Sequence, residues 1–131
     1  GELEFTTQVV NPDGYNLESE LFDIDGDGDI DIIMADLRSG GVEILFNDGA
    51  QNFTSLSLSG AGSSYGLAVG DIDEDGDLDI VAANNNGQST VFVNNGDTNS
   101  DGVIDFTSEA LAGTPNSWDV AFINSDEFFF G

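Results

Sequence analysis

The sequence contains no histidine, no cysteine and no lysine, and Arg38 is its single basic residue. Without cysteine there is no disulfide, no thiolate metal ligand and no thiol nucleophile, and without histidine the commonest general base and a usual zinc ligand are missing. No run of eighteen or more apolar residues occurs, so the sequence predicts no membrane insertion. These absences argue against most enzyme classes, and we expect a protein that is not an enzyme.

Acidic residues, by contrast, are abundant: 26 of the 131 residues are Asp or Glu, and the net charge is −25. We therefore expect no nucleic-acid partner and no attraction to anionic lipid. The 39% of hydrophobic residues, ten Phe among them, can bury the core of one domain. Fourteen of the acids fall in three nine-residue segments, 23–31, 71–79 and 97–105, whereas the other twelve are scattered as on a halophilic surface.

The three segments, named loop one, loop two and loop three, share the pattern D-x-[DN]-x-D-G-x-[IL]-D. Side chains at positions 1, 3 and 5 can point oxygens inward, glycine at position 6 permits a sharp turn, position 7 can offer its carbonyl, and aspartate at position 9 closes the loop. This pattern predicts two to three Ca²⁺ ions, because Ca²⁺ is a hard cation that takes six to eight oxygen ligands. The candidate metal ligands are Asp23, Asp25, Asp27, Asp29 and Asp31 in loop one, Asp71, Asp73, Asp75, Asp77 and Asp79 in loop two, and Asp97, Asn99, Asp101, Val103 and Asp105 in loop three.

Two alternatives stand beside calcium. Magnesium is the rival ion, but it demands stricter octahedral geometry and keeps its waters. For any single loop, an acidic turn rich in Asp and Gly needs no metal at all, since both residues favour turns. Three such segments with one spacing favour the metal-binding interpretation.

The loops are not EF-hands. Position 12 of an EF-hand loop is a bidentate glutamate, and here it is Met34, Ala82 or Ser108. The runs that follow loops one and two, "IDIIMAD" and "LDIVAAN", are short and rich in β-branched residues, which predicts strands.

An internal repeat organises the chain. "DIDGDGDIDI" (23–32) returns 48 residues later as "DIDEDGDLDI" (71–80), and "FTTQVV" (5–10) returns as "FTSLSL" (53–58) and "FTSEAL" (106–111). One unit reads as strand, acidic loop, strand, turn, strand, turn, strand, and loop three interrupts the last turn of the second unit. The predicted fold class is all-β, with tandem four-stranded antiparallel blades of β-propeller type.

The segment "LAVGDIDEDGDLDIVAANNNGQSTVFVNNG" (67–96), with a looser copy at 21–49, resembles the FG-GAP/VCBS repeat family, the calcium-binding propeller blades of integrin α chains and many secreted bacterial proteins. The resemblance covers residues 19–123. It implies that the calcium loop joins the first two strands of a blade, with ligands at Asp23, Asp25, Asp27 and Asp31 and at Asp71, Asp73, Asp75 and Asp79. Loop three lies outside the family pattern and is similar to a dockerin-type calcium sequence.

We expect a single repeat domain over 1–131: a lead-in outer strand (5–18), blade one (19–58), blade two with its inserted loop (65–111) and a partial blade (118–131). The third copy loses its acidic loop, because Asn124, Asp126 and Phe128 stand where loop two has aspartates. A propeller needs at least four blades, so these blades are too few to close one. The sequence starts at Gly1, and we expect a processed product or a piece of a longer protein.

Unfinished blades leave strand edges and the apolar "FFF" at 128–130, which proteins normally cover. Because the two ends differ, we expect head-to-tail contact with other copies, or contact with other propeller blades. The leading function is an extracellular or cell-surface calcium-binding protein with a structural, self-assembling role as a ring or filament subunit. One alternative is an adhesin or lectin-like module from a larger propeller, with a glycan or protein ligand, and another is an accessory domain of a secreted enzyme. Tyr15, Tyr65 and Trp118 precede the innermost strands; this spacing favours core packing for two of the three, and sugar binding is the alternative.

Overall fold

The computed structural model describes residues 16–37, 41–60, 62–114, 116–124 and 127–130. Ten strands and no helix form this part of the chain. Most of the expected lead-in strand, residues 5–15, lies outside the described residues, and residues 16–18 belong to the first strand of blade one. The strands are β1 (Asn16–Phe22), β2 (Asp31–Asp36), β3 (Gly41–Asn47), β4 (Phe53–Leu58), β5 (Ser64–Gly70), β6 (Asp79–Asn84), β7 (Thr90–Asn94), β8 (Phe106–Ala110), β9 (Val120–Asn124) and β10 (Glu127–Phe130).

Two four-stranded antiparallel sheets repeat one topology. Blade one has the order β1-β2-β3-β4 and blade two the order β5-β6-β7-β8, so each strand pairs with its neighbour in sequence. Equivalent residues pair in both blades: Ile32 lies opposite Leu45, and Ile80 lies opposite Phe92. The predicted fold class is confirmed, and the sheets of the described residues do not close into a barrel or propeller.

The two blades pack face to face. Ile33 and Ile44 of blade one share a buried cluster with Leu67, Ile80 and Phe92 of blade two, and each of these side chains is at most 2% exposed. Such burial removes alternate residues of both sheets from water, which is the main stabilising term of the stack. Blade two is covered on both faces, so all six residues of β6 are buried.

The first strands of successive blades lie side by side. The backbone N–H of Leu67 in β5 donates to the Glu18 carboxylate in β1 at 2.7 Å, and β5 also contacts β9. Gly66 permits the second approach, because a Cβ at that position would lie 2.6 Å from the Cα of Asp119. The chain thus stacks β1, β5 and β9 in the order in which propeller blades follow one another.

The C-terminal segment differs from the expected unpaired strand with an exposed end. β10 pairs antiparallel with β9, and Phe130 packs against the second buried cluster, which includes Ala68, Val81 and Val120. The hairpin therefore covers the face of blade two that blade one leaves open. The side chains of Phe128 and Phe129 lie outside the described residues.

Candidate metal centres

The three acidic loops share one backbone conformation. Loop one joins β1 to β2, loop two joins β5 to β6, and loop three precedes β8. The glycines at position 6 have φ values of 97°, 101° and 86°, a region that favours glycine, so the predicted sharp turn is present (Gly28, Gly76, Gly102). Position 4 is left-handed as well, at Gly26 (75°), Glu74 (62°) and Ser100 (62°).

Aspartates inside each loop hold that conformation. The carboxylate at position 1 accepts the N–H of the glycine at position 6 at 2.9, 3.0 and 2.9 Å in loops one, two and three. The carboxylate at position 5 accepts the N–H at position 7 at 2.8, 2.9 and 2.9 Å. The loops are therefore folded by their own side chains, with remaining carboxylate lone pairs free for a cation.

Loops one and two each bring three carboxylates together. In loop one these are Asp23, Asp25 and Asp27, and in loop two they are Asp71, Asp73 and Asp79, with ligand oxygens within 4.8 Å of one another in each group. Oxygens about 2.3–2.6 Å from a shared Ca²⁺ are separated by no more than roughly this distance. These are the two such groups among the described residues.

One atom of loop one favours the metal-binding interpretation. Oδ1 of Asp23 is buried and has no hydrogen-bond partner, and it is the one buried side-chain polar atom in this condition within the described part of the chain. A buried carboxylate oxygen without a partner costs free energy, and a cation beside it removes that cost. The residues of loop one therefore fit a bound Ca²⁺.

The aspartates at position 9 have a second role. Asp31 and Asp79 are fully buried. Asp31 accepts the backbone N–H groups of Ile24 (2.9 Å) and Asn47 (2.8 Å). Asp79 accepts those of Ile72 (2.7 Å) and Asn94 (2.8 Å). Each position-9 aspartate thus ties its loop to the third strand of its blade.

Comparison with known families agrees with this geometry. Residues 23–82 match the FG-GAP-like repeat family, a span that contains loop one, strands β2 to β5, loop two and the start of β6. Residues 23–82 are therefore similar to an FG-GAP-like repeat. The resemblance drawn from the sequence is confirmed over these residues. No curated protein and no solved structure matches the chain.

In loops one and two, the side chain at position 7 is placed differently from the other candidate ligands. The Asp29 side chain lies against the turn after β3, because a Cβ on Gly49 would be 2.3 Å from its Oδ2. Asp77 lies near the equivalent Gly96, at 3.7 Å by the same measure. Neither carboxylate joins the converging groups, so a role for position 7 through its carbonyl stays a prediction. Asp75 also lies outside the group of loop two.

The converging carboxylates raise one another's proton affinity. Burial raises the pKa of Asp25, and the charges of Asp31, Asp27 and Asp23 raise it further. The pKa of Asp31 is raised first by burial and then by the charges of Asp27 and Asp23, against the lowering effect of its backbone hydrogen bonds. Desolvation, followed by the charges of Asp75 and Asp79, raises the pKa of Asp73. Crowded carboxylates of this kind favour any cation that neutralises them.

Loop three lies outside the matched residues 23–82 and has fewer carboxylates than loops one and two. It brings no three carboxylates within 4.8 Å of one another. Asp105 accepts the position-2 N–H, here of Thr98, as the position-9 aspartates of loops one and two do, and it also accepts the Thr98 hydroxyl. Its residues Val103 and Ile104 face blade one across a cleft of about 220 Å³ that Asp25 and Phe46 also line. Whether Asp97, Asn99, Asp101, Val103 and Asp105 bind an ion stays a prediction.

Two positions that the loop pattern overlooks are Asn47 and Asn94. Each ends the third strand of its blade and donates its backbone N–H to the position-9 aspartate. Their shared context, "FNDG" and "VNNG", is a signal that an alignment of the two units contains.

No helix able to cross a membrane occurs in the described segments.

Proposed function

We propose that this chain is an extracellular, non-catalytic calcium-binding repeat module, in which the ions stabilise a stack of blades with a structural, self-assembling role. One observation carries the metal assignment: two loops in successive blades each converge three carboxylates, and Asp23 Oδ1 is buried without a partner. The FG-GAP-like match over 23–82 supports the same assignment.

Bound Ca²⁺ would supply charge neutralisation and a fixed centre for the loop oxygens. Asp23, Asp25 and Asp27 would hold it in loop one, and Asp71, Asp73 and Asp79 would hold it in loop two. Without the ion, like charges at these distances oppose folding, so binding free energy becomes folding free energy. Ca²⁺ suits these loops better than Mg²⁺ because it tolerates irregular sets of oxygen ligands.

The test is thermal unfolding with millimolar Ca²⁺ and with excess chelator, combined with calorimetric titration. We expect a lower melting temperature in chelator and saturable calcium binding. Asp23→Asn should weaken binding, whereas Glu109→Gln removes the same charge from an exposed position on β8 and should not. Melting curves that overlay with and without calcium would contradict the proposal.

Self-assembly would extend the stacking already present in one chain. Blade one packs on blade two with β1 beside β5, which is a head-to-tail arrangement of like units. A stacking contact of the same kind between copies, in which the β9–β10 hairpin that covers blade two meets blade one of the next copy, would generate a ring if the rotation closes and a filament if it does not. The charge of −25 opposes association, and three calcium ions with two charges each would reduce it to −19.

Sedimentation velocity and electron microscopy of the purified chain test assembly. We expect discrete oligomers or filaments in millimolar Ca²⁺ and smaller species in chelator. A monomer under both conditions would contradict assembly while leaving calcium binding intact, and would favour other propeller blades of a longer protein as the neighbours.

A glycan-binding function is the second candidate, and one contact favours it. Trp118 is 59% exposed, so it is not a core residue, and its ring packs edge-on against Tyr65 with the centroids 4.7 Å apart. Exposed aromatic rings held in place by a neighbour offer an apolar face to a sugar. Because Trp118 is the only tryptophan, its fluorescence reports binding to a glycan panel directly. Because Trp118→Ala removes that fluorescence, glycan binding by the variant is measured in a competition assay. Binding that Trp118→Ala leaves unchanged would exclude this site.

A further inference from the structure

The loops of the two blades are connected through the side chain of Asn94. Asn94 ends β7 and is 2% exposed. Its Nδ2 donates to the backbone oxygen of Leu78 in loop two at 3.3 Å and to that of Ile24 in loop one at 3.2 Å. Ile24 lies 70 residues away in the chain, between the candidate ligands Asp23 and Asp25.

The contact belongs to an unbroken line of hydrogen bonds. Oδ2 of Asp31 accepts the N–H of Ile24, and the oxygen of Ile24 accepts from the Asn94 amide. The backbone N–H of Asn94 then donates to Oδ1 of Asp79. The line therefore joins the position-9 aspartates of two loops, and all four of its residues are buried.

The equivalent residue of blade one provides a comparison inside the same molecule. Asn47 donates its backbone N–H to Asp31, donates Nδ2 to the oxygen of Ile30, and accepts the N–H of Gly49. Asn94 makes the same three contacts, with Asp79, Leu78 and Gly96. Among the described residues, the bond to another blade's loop distinguishes Asn94 from Asn47.

We propose that Asn94 is a positioning residue that couples calcium binding in loop one to calcium binding in loop two, an inference that rests on the proposed function. An ion in loop two fixes Asp79, and with it the end of β7 that presents the Asn94 amide. A fixed amide holds the Ile24 peptide in the conformation that places Asp23 and Asp25 on either side of it. By thermodynamic linkage, an ion in loop one raises the calcium affinity of loop two by the same factor.

Calorimetric calcium titration of four chains tests the coupling. All four carry Asp101→Ala, which silences loop three. Two of them keep Asn94, one with loop two active and one with loop two silenced by Asp73→Ala. The other two are the same pair with Asn94→Ala added. In the chains that keep Asn94, silencing loop two should lower the calcium affinity of loop one by about fivefold, because one net hydrogen bond contributes a factor of about this size. In the Asn94→Ala background, silencing loop two should leave the affinity of loop one unchanged.

Asn47→Ala is the matched control, because it removes the same intrablade bonds and leaves the Asn94 contact in place. Coupling that survives Asn94→Ala, or that Asn47→Ala also abolishes, would overturn the inference. Equal loop-one affinities with loop two active and silenced in the Asn94 background would do the same. A chain that binds no calcium in any background would instead overturn the proposed function itself.

A second measurement serves if Asn94→Ala does not fold. In a chain with loop one silenced by Asp27→Ala and loop three by Asp101→Ala, calcium can fill only loop two. We expect the carbonyl ¹³C resonance of Ile24 and the side-chain amide resonances of Asn94 to shift as calcium is added. Resonances that stay fixed while loop two fills would refute the coupling.

Discussion

Substitution of Asp79 tests whether position 9 acts only as a metal ligand or also as a clamp, meaning the pair of hydrogen bonds that Asp79 accepts from Ile72 and Asn94. Asp73 and Asp79 belong to the same converging group, so Asp73→Ala and Asp79→Ala each remove one candidate ligand. Asp73 is exposed, whereas Asp79 is fully buried and accepts two backbone N–H groups at 2.7 and 2.8 Å. The two variants therefore differ mainly by that pair of hydrogen bonds.

The expected difference follows from the bonds themselves. A hydrogen bond to a charged group contributes about 1.5–3 kcal/mol, so the pair amounts to about 3–6 kcal/mol. Water entering the space left by the carboxylate satisfies part of the two N–H groups. We expect Asp79→Ala to lower the free energy of unfolding by about 2–4 kcal/mol more than Asp73→Ala does.

Urea denaturation at saturating Ca²⁺ measures this difference without adding salt that would screen the acidic loops. Asp79→Asn, which retains one acceptor oxygen, should fall between the two alanine variants. If Asp73→Ala and Asp79→Ala are equally stable within about 0.5 kcal/mol, the clamp contributes nothing and position 9 acts as a ligand alone.

Three further outcomes are expected. Carboxylates such as Asp25 have raised pKa values in the folded state, so the stability that their protonation confers is present at acidic pH and is lost as pH rises through those values. The melting temperature of calcium-free protein should therefore be higher at about pH 4.5 than at pH 7. The melting temperature of calcium-loaded protein should be lower at about pH 4.5 than at pH 7, because protons compete with the ion. Asp75→Ala should reduce stability in calcium more than Asp101→Ala, since loop two has more carboxylates than loop three; equal calcium affinities of the two variants would contradict this order. Gly66→Ala should cost about 1–3 kcal/mol in urea denaturation, because its Cβ would lie 2.6 Å from the backbone before β9; a wild-type unfolding midpoint would show that the hairpin can move aside.

The internal geometry of the loops was predictable from sequence because every group involved lies within nine residues. The spacing of Asp71 and Gly76 alone brings a carboxylate to the glycine N–H, and the left-handed φ of Gly76 is a local property of the turn. The alternation of the strands and the 48-residue repeat predicted two like blades for the same reason: period and spacing are visible in one dimension.

The tertiary structure decided what the side chains do between blades. The acidic pattern presents Asp31 and Asp79 as ligands, and only the packing of each loop against its third strand shows that they clamp two backbone N–H groups. Phe130 was expected at an exposed end, yet β10 folds onto β9 and buries part of it against blade two.

The hydrogen bond between Asn94 and Ile24 is the clearest contact that only the tertiary structure determined. In sequence, Asn94 and Asn47 occupy matching positions, and nothing local distinguishes them. Only stacking of blade two on blade one places the Asn94 amide beside a carbonyl 70 residues away. Spacing along the chain determines contacts within a loop or hairpin, whereas contacts between blades depend on how two buried faces settle against each other.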